Sequence, residues 1–123
     1  MNFTCRYDLK GFSNELGLPL KDMADLFSEL IKEIKGELLE ARNVLETRNL
    51  ESLKQINHNI KGISANYRIL DLYEQSCQIS NALKISCDNQ TLQSLFDNLF
   101  LTFESAVQEI IAFFAHEGID ISQ

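Results

Sequence analysis

The residues best placed to do chemistry gather around His58. In the run Leu50, Leu53, Ile56, Ile60, Ile63 and Tyr67, apolar residues advance by three or four, the spacing of one face of an α-helix. At about 100° per residue His58 points about 180° away from the centre of that face, so it is expected in solvent. Lys61 follows one turn on, Lys54 stands one turn back, and Gly62 and Ala65 take the next same-face positions. A basic group and two small residues beside an exposed imidazole suit a nucleophile that handles an anion and accepts a flat partner. Imidazole changes charge near neutrality, so its unprotonated nitrogen is available for attack. Lys61 at i+3 can reach the same anion as a point charge. Gly62 in mid-helix costs about 1 kcal/mol against alanine. That cost makes sense if a side chain would block an incoming surface, or if the glycine serves close packing inside the protein. Lys54, Lys61 and Arg68 recur every seven residues. If the helix persists they form one basic edge, either a solvated stripe or an electrostatic guide for an acidic partner.

The elements that must position these residues are helical throughout. A short helix from Asp8 to Leu16 should bury Leu9, Phe12 and Leu16 and stop at Gly17. Pro19 suits the first turn of a second helix running to about Thr47, with Met23, Phe27, Leu30, Ile34, Leu38, Ala41 and Leu45 inside. Asn49 is a fair N-cap for the His58 helix. A fourth helix should start near Ile69, bury Ile69, Leu72, Tyr73, Ser76, Ser80 and Leu83, and end about Ser86. Asp88 or Asn89 then caps a last long helix, with Leu92, Leu95, Phe96, Leu99, Phe103, Ala106, Val107, Ile110, Phe113 and Phe114 inside and Gly118 as its stop. No stretch has the two-residue alternation of a half-buried strand. The expectation is an all-α, up-down-up-down four-helix bundle with a short additional N-terminal helix. One proline, five glycines and 123 residues leave no room for a linker, so residues 1–123 are read as a single domain.

A net charge of −7 and a pI near 4.7 argue against nucleic acid or an anionic membrane as partner, since both call for a basic footprint. No apolar run reaches the roughly 20 residues of a membrane span, and Met1-Asn2-Phe3-Thr4-Cys5-Arg6 lacks the apolar core of a signal peptide. A cytoplasmic monomer is expected. The three cysteines, Cys5, Cys77 and Cys87, form no C-x-x-C pair and read as structural thiols in a reducing compartment. There is no glycine-rich phosphate loop, so no ATP site is expected and the chain should not be a kinase by itself. Neither histidine has a glutamate three residues before it, as a di-iron bundle requires, and no metal or other cofactor is expected. His116 reads as a favourable charge or polar group near a helix C-terminus.

The string His58-Asn59-Ile60-Lys61-Gly62-Ile63-Ser64-Ala65-Asn66-Tyr67 resembles the signature of histidine-containing phosphotransfer domains. That family pattern is H-x-(L/I)-K-G-x-(S/A), then an apolar position, a glycine, and an apolar residue near the fourteenth place after the histidine. This chain supplies His58, Ile60, Lys61, Gly62, Ser64, Tyr67 and Leu72. It departs at Arg68, where the family usually has glycine, and Asn66 is a candidate for the left-handed residue of that turn. Asn57 is also more polar than the family commonly shows. The resemblance spans the architecture from about Asp8 to Glu117.

What the resemblance implies is a phosphorelay intermediate without an ATP site. His58 would accept a phosphoryl group from one receiver-domain aspartate and give it to another, with Lys61 stabilising charge. Lys54, Gly62, Ala65 and Arg68 would contact the partner, a response-regulator receiver domain or a hybrid sensor histidine kinase. Met1 favours a stand-alone carrier over an excised domain. The rival is a helical adaptor that binds a receiver or another partner with no phosphoryl chemistry.

Overall fold

The computed structural model describes residues 4–85 and 87–121; the expected signal-free start at Met1 to Phe3 and the expected helix end at Ser86 lie outside them. Five helices follow in order: α1 (Leu9–Leu16), α2 (Leu20–Thr47), α3 (Leu50–Asn66), α4 (Leu70–Lys84) and α5 (Asn89–His116). Helix α2 packs on α3, α3 on α4, α4 on α5, and α5 back on α2. That ring, closed by short turns between neighbours, is the up-down-up-down bundle, with α1 laid against α2. Among the described residues there is no strand.

Local signals set the helix ends. The Asp8 carboxylate accepts from Gly11 N at the start of α1, Asn49 Oδ1 from Ser52 N at the start of α3, and Asp88 from Thr91 N at the start of α5. The Thr91 hydroxyl, and then its backbone N–H, hold the Asp88 carboxyl below the usual carboxylate range. Pro19 sits one residue before its helix rather than in the first turn: extended itself, it accepts from Asp22 N and Met23 N. Gly17 and Gly118 end α1 and α5 at φ 68° and 77°.

The expected stripe of α2 is buried in full. Leu16 is not: α1 is two turns long, Leu16 is its last residue and lies 48% exposed, while Ser13 is buried and donates to Leu18 O. In α4 the buried residues are Leu72, Ser76, Ile79, Ala82 and Leu83, whereas Tyr73 is exposed and Ser80 only half-buried. Helix α5 carries an 18-residue window of mean hydropathy 1.2, long and apolar enough by composition to cross a bilayer. In this fold it lies against α2 and α4 with nine of its side chains buried, Leu92 to Phe114. The three cysteines are free and half-buried, and burial pushes the Cys5 thiol up.

Residues Thr4 to Asp8 strap one end of the bundle. Arg6 N donates to Glu109 Oε1 at 3.1 Å, and the Tyr7 hydroxyl donates to the Asp71 carboxylate at 3.0 Å while accepting from Arg6 Nε. Burial, then the Asp71 charge, raises the Tyr7 phenol well above its ordinary range. Phe12, Phe27 and Tyr67 meet edge-to-face, with centroids 5.6–6.4 Å apart, and Phe114 lies 6.0 Å from Phe27. This cluster seats α1 on the turn between α3 and α4.

That turn corrects one expectation. The left-handed residue is Arg68 itself, at φ 60°, while Asn66 is still helical. Arg68 stands there with its guanidinium paired to Glu15 and stacked 4.6 Å over the Phe12 ring. Alanine at 68 keeps the strained backbone and loses both contacts, whereas glycine loses the contacts and relieves the strain. Arg68→Gly should therefore melt a few degrees above Arg68→Ala, measured by circular dichroism. Equal melting temperatures would mean that the backbone at 68 relaxes when the arginine contacts go.

Candidate functional site

Helix α3 presents two opposite faces. Leu53, Ile56 and Ile60 are buried, and the next-door pair Asn57 and His58 diverges: Asn57 is 1% exposed while His58 stands in solvent. His58 lines a surface depression of about 330 Å³ between α3 and α4. The α3 wall supplies Glu51, Lys54, Asn57 and Lys61, and the α4 wall supplies Ser80, Leu83 and Lys84. Lys54 is 3.6 Å from Glu51 on the exposed face, a pair of little energetic weight. Lys61 is half-buried.

The sites expected from sequence divide. Lys54 and Lys61 are brought beside His58. Gly62 and Ala65 are exposed on the same helix. Arg68 is not brought there, because α3 ends at Asn66 and the arginine turns away to Glu15 and Phe12. The basic edge therefore ends at Lys61. Its third member is Lys84, which sequence reading missed: it lies on another helix, and only the packing of α4 on α3 brings it to His58. One turn before it on α4, Ser80 was expected inside and instead forms part of the rim.

On the opposite flank α3 meets α2 through neutral and acidic groups. Asn59 Nδ2 donates to Glu37 Oε1 at 3.3 Å, and Gln55 Nε2 donates to Asn59 Oδ1 at 2.9 Å. The surroundings of His58 are thus uneven, with three lysines and the Glu51 carboxylate lining the α3–α4 depression and the Glu37 carboxylate toward α2. An anion bound at His58 is drawn to the α4 side.

Beneath His58 the α3–α4 seam is polar. Asn57 Nδ2 donates to Ser76 O and to Ser80 Oγ, each at 2.9 Å. Ser64 and Ser76 are fully buried in the helices that form this seam.

A Cβ at Gly62 would meet nothing within 4 Å. Internal packing does not explain this glycine, and the open space is consistent with a surface kept low for something outside. Gly36 on α2 is equally open, so the space excludes a packing role without naming a partner.

A larger depression, about 500 Å³, lies where the N-terminal strap meets Phe12, Tyr67 and Leu70. Its Tyr7 hydroxyl is held between Asp71 and Arg6, so the larger cavity carries less reactive chemistry than the smaller one. Among the described residues no cluster of three or more His, Cys, Asp or Glu side chains could hold a metal ion. No protein-family model, curated protein or solved structure matches this chain.

Two substitutions separate reactive surface from structural core. Gly62→Ala should stabilise the fold by about 0.5–1 kcal/mol, because the helix gains propensity and the methyl group meets nothing. His58→Gln should change unfolding free energy by less than about 0.5 kcal/mol, as a solvent-facing residue does. Urea denaturation reads both, and a large loss in either would place that residue in the packed interior.

Proposed function

We propose that this chain carries a phosphoryl group on His58 and exchanges it with aspartates of receiver domains, as a phosphorelay intermediate. One observation carries the reading: an exposed histidine in mid-helix shares a shallow depression with Lys54, Lys61 and Lys84, on a protein whose net charge is −7. Local positive charge against a negative whole suits a small, concentrated anion better than an extended polyanion. The resemblance of the string from His58 to Tyr67 supports the same reading.

In the forward step an unprotonated ring nitrogen of His58 attacks phosphorus in line with the acyl oxygen of an aspartyl phosphate. The N–P bond forms as the P–O bond breaks, and the electron pair leaves with the oxygen of a restored aspartate. The proton on the other ring nitrogen stays, so the imidazole becomes a phosphorylated imidazolium that can lose that proton to water. Such transfer depends on positioning and charge more than on covalent help from the protein. Lys61, one turn from His58 and half-buried, supplies charge at the phosphoryl oxygens. Lys54 and Lys84, at the rim, serve association with the acidic pocket of a receiver. Gly62 and Ala65 leave the helix surface low where that domain would land.

Incubation with a phosphorylated receiver domain tests this reading. An acid-labile, base-stable label should appear on the wild-type chain and vanish in His58→Gln with its circular dichroism unchanged. Lys61→Arg should keep much of the transfer rate, while Lys61→Ala should lose roughly 1–3 kcal/mol of transition-state stabilisation. Docking without label would establish the adaptor instead, and label persisting in His58→Gln would move the acceptor elsewhere.

A further inference from the structure

We infer that the Ser80 hydroxyl is a second phosphoryl-binding group, held by Asn57 so that its proton faces an anion on His58. This rests on His58 as the phosphoryl site and adds to it a neutral donor from the neighbouring helix.

The orientation follows from hydrogen-bond bookkeeping. The Asn57 amide meets two atoms, Ser76 O and Ser80 Oγ, each at 2.9 Å. A backbone carbonyl only accepts, so the atom facing Ser76 O must be Nδ2, and the amide cannot be flipped. Both amide protons are then committed, one to each oxygen. Ser80 Oγ is the acceptor in its bond to Asn57, and its own proton is not part of that bond. No acceptor among the described residues takes that proton. Ser80 is half-buried and lines the same depression as His58, Lys61 and Lys84. The Ser80 proton is therefore left available to an acceptor in the depression that His58 also lines.

Asn57 makes poor sense as a stability device. It is 1% exposed, and its Oδ1 has no hydrogen-bond partner among the described residues. Burying such a group costs free energy that a leucine of similar size would not. A positioning role for a substrate-contacting hydroxyl accounts for the expense. Glu51, Lys54 and Lys61 from α3 and Lys84 from α4 are the charged groups lining the depression, and Glu37 on α2 is tied to Asn59. The Ser80 donor adds hydrogen bonding to a phosphoryl dianion without adding charge to that set.

The test uses the full chain carrying His116→Gln, so that His58 is its one histidine. Phosphoramidate, a small chemical donor, phosphorylates the imidazole without any receiver, and the phosphorus NMR resonance is followed against pH. Removing a donor to the dianion should raise the titration midpoint of the phosphoryl group in Ser80→Ala, and equally in Asn57→Leu. The double variant should go no further, since Asn57 acts through Ser80. Ser80→Thr, which keeps a hydroxyl, should restore the wild-type midpoint. In exchange with a receiver, Ser80→Ala should shift the equilibrium away from phosphorylated His58 by roughly tenfold, the scale of one hydrogen bond to a charged group.

A midpoint in Ser80→Ala identical to wild type overturns the inference, even where receiver transfer is efficient. A shifted midpoint with no transfer from any receiver upholds the Ser80 donor and sinks the relay function. Failure of phosphoramidate to label His58 overturns the inference outright. Should Asn57→Leu not fold, the half-buried Ser80 variants decide the matter alone.

Discussion

The rotation of α3 about its own axis is the constraint on which the site depends. Leu53, Ile56 and Ile60 must enter the core, and that requirement turns His58 outward. Rotating the helix by one residue, about 100°, would drive the imidazole toward a neighbouring helix and expose core side chains. The apolar contacts set this rotation broadly, because the hydrophobic effect has no direction. The Asn57 bonds to Ser76 O and Ser80 Oγ set it more narrowly, since hydrogen bonds tolerate little misalignment. A single buried amide thus fixes α3 against α4 directly beneath the exposed histidine.

Charge is distributed to match. The chain is acidic, yet the α4 side of His58 carries Lys54, Lys61 and Lys84. These charges are held apart by helix geometry, and Lys54 lies 3.6 Å from the exposed Glu51. At physiological salt the screening length is about 8 Å. The three lysines share one depression with His58, while the negative charge more than a screening length away is largely damped. A small anion or an acidic pocket is attracted locally, and a long polyanion is opposed over most of the surface.

Most of the bundle was legible because apolar periodicity and caps are local signals. Asn49 and Asp88 capped their helices through side-chain oxygens, and the α2 stripe from Met23 to Leu45 is buried throughout. The misreadings lie where polar residues occupy buried positions. On the α3 wheel Asn57 and Ser64 fall between Leu53 and Leu50, inside the apolar arc, yet their polarity disguised them. On α4 Ser76 is buried as expected, but taking Tyr73 and Ser80 along with it rotated the inferred face away from the buried Ile79 and Ala82. Lys84 was invisible for a different reason: its relation to His58 runs across two helices, and no spacing within one helix encodes it. Arg68 looked like the next member of a heptad stripe, but α3 stops two residues before it.

Arg68 shows why the α3–α4 turn can depart from glycine without losing its shape. A left-handed backbone at a residue with a side chain is strained, and strain persists only where neighbouring contacts over-determine it. Here the guanidinium closes on Glu15 and lies flat on Phe12, which itself packs edge-to-face on Phe27 and Tyr67. The same residue therefore ends α3, starts the approach to α4 and ties the short α1 to both. Drawing the arginine to that end of the bundle removes it from the histidine face, where the lysine of α4 completes the basic wall. Turn and histidine face are related through this allocation: the arginine that stabilises the unusual turn is absent from the His58 depression, and the neighbouring helix supplies Lys84 there.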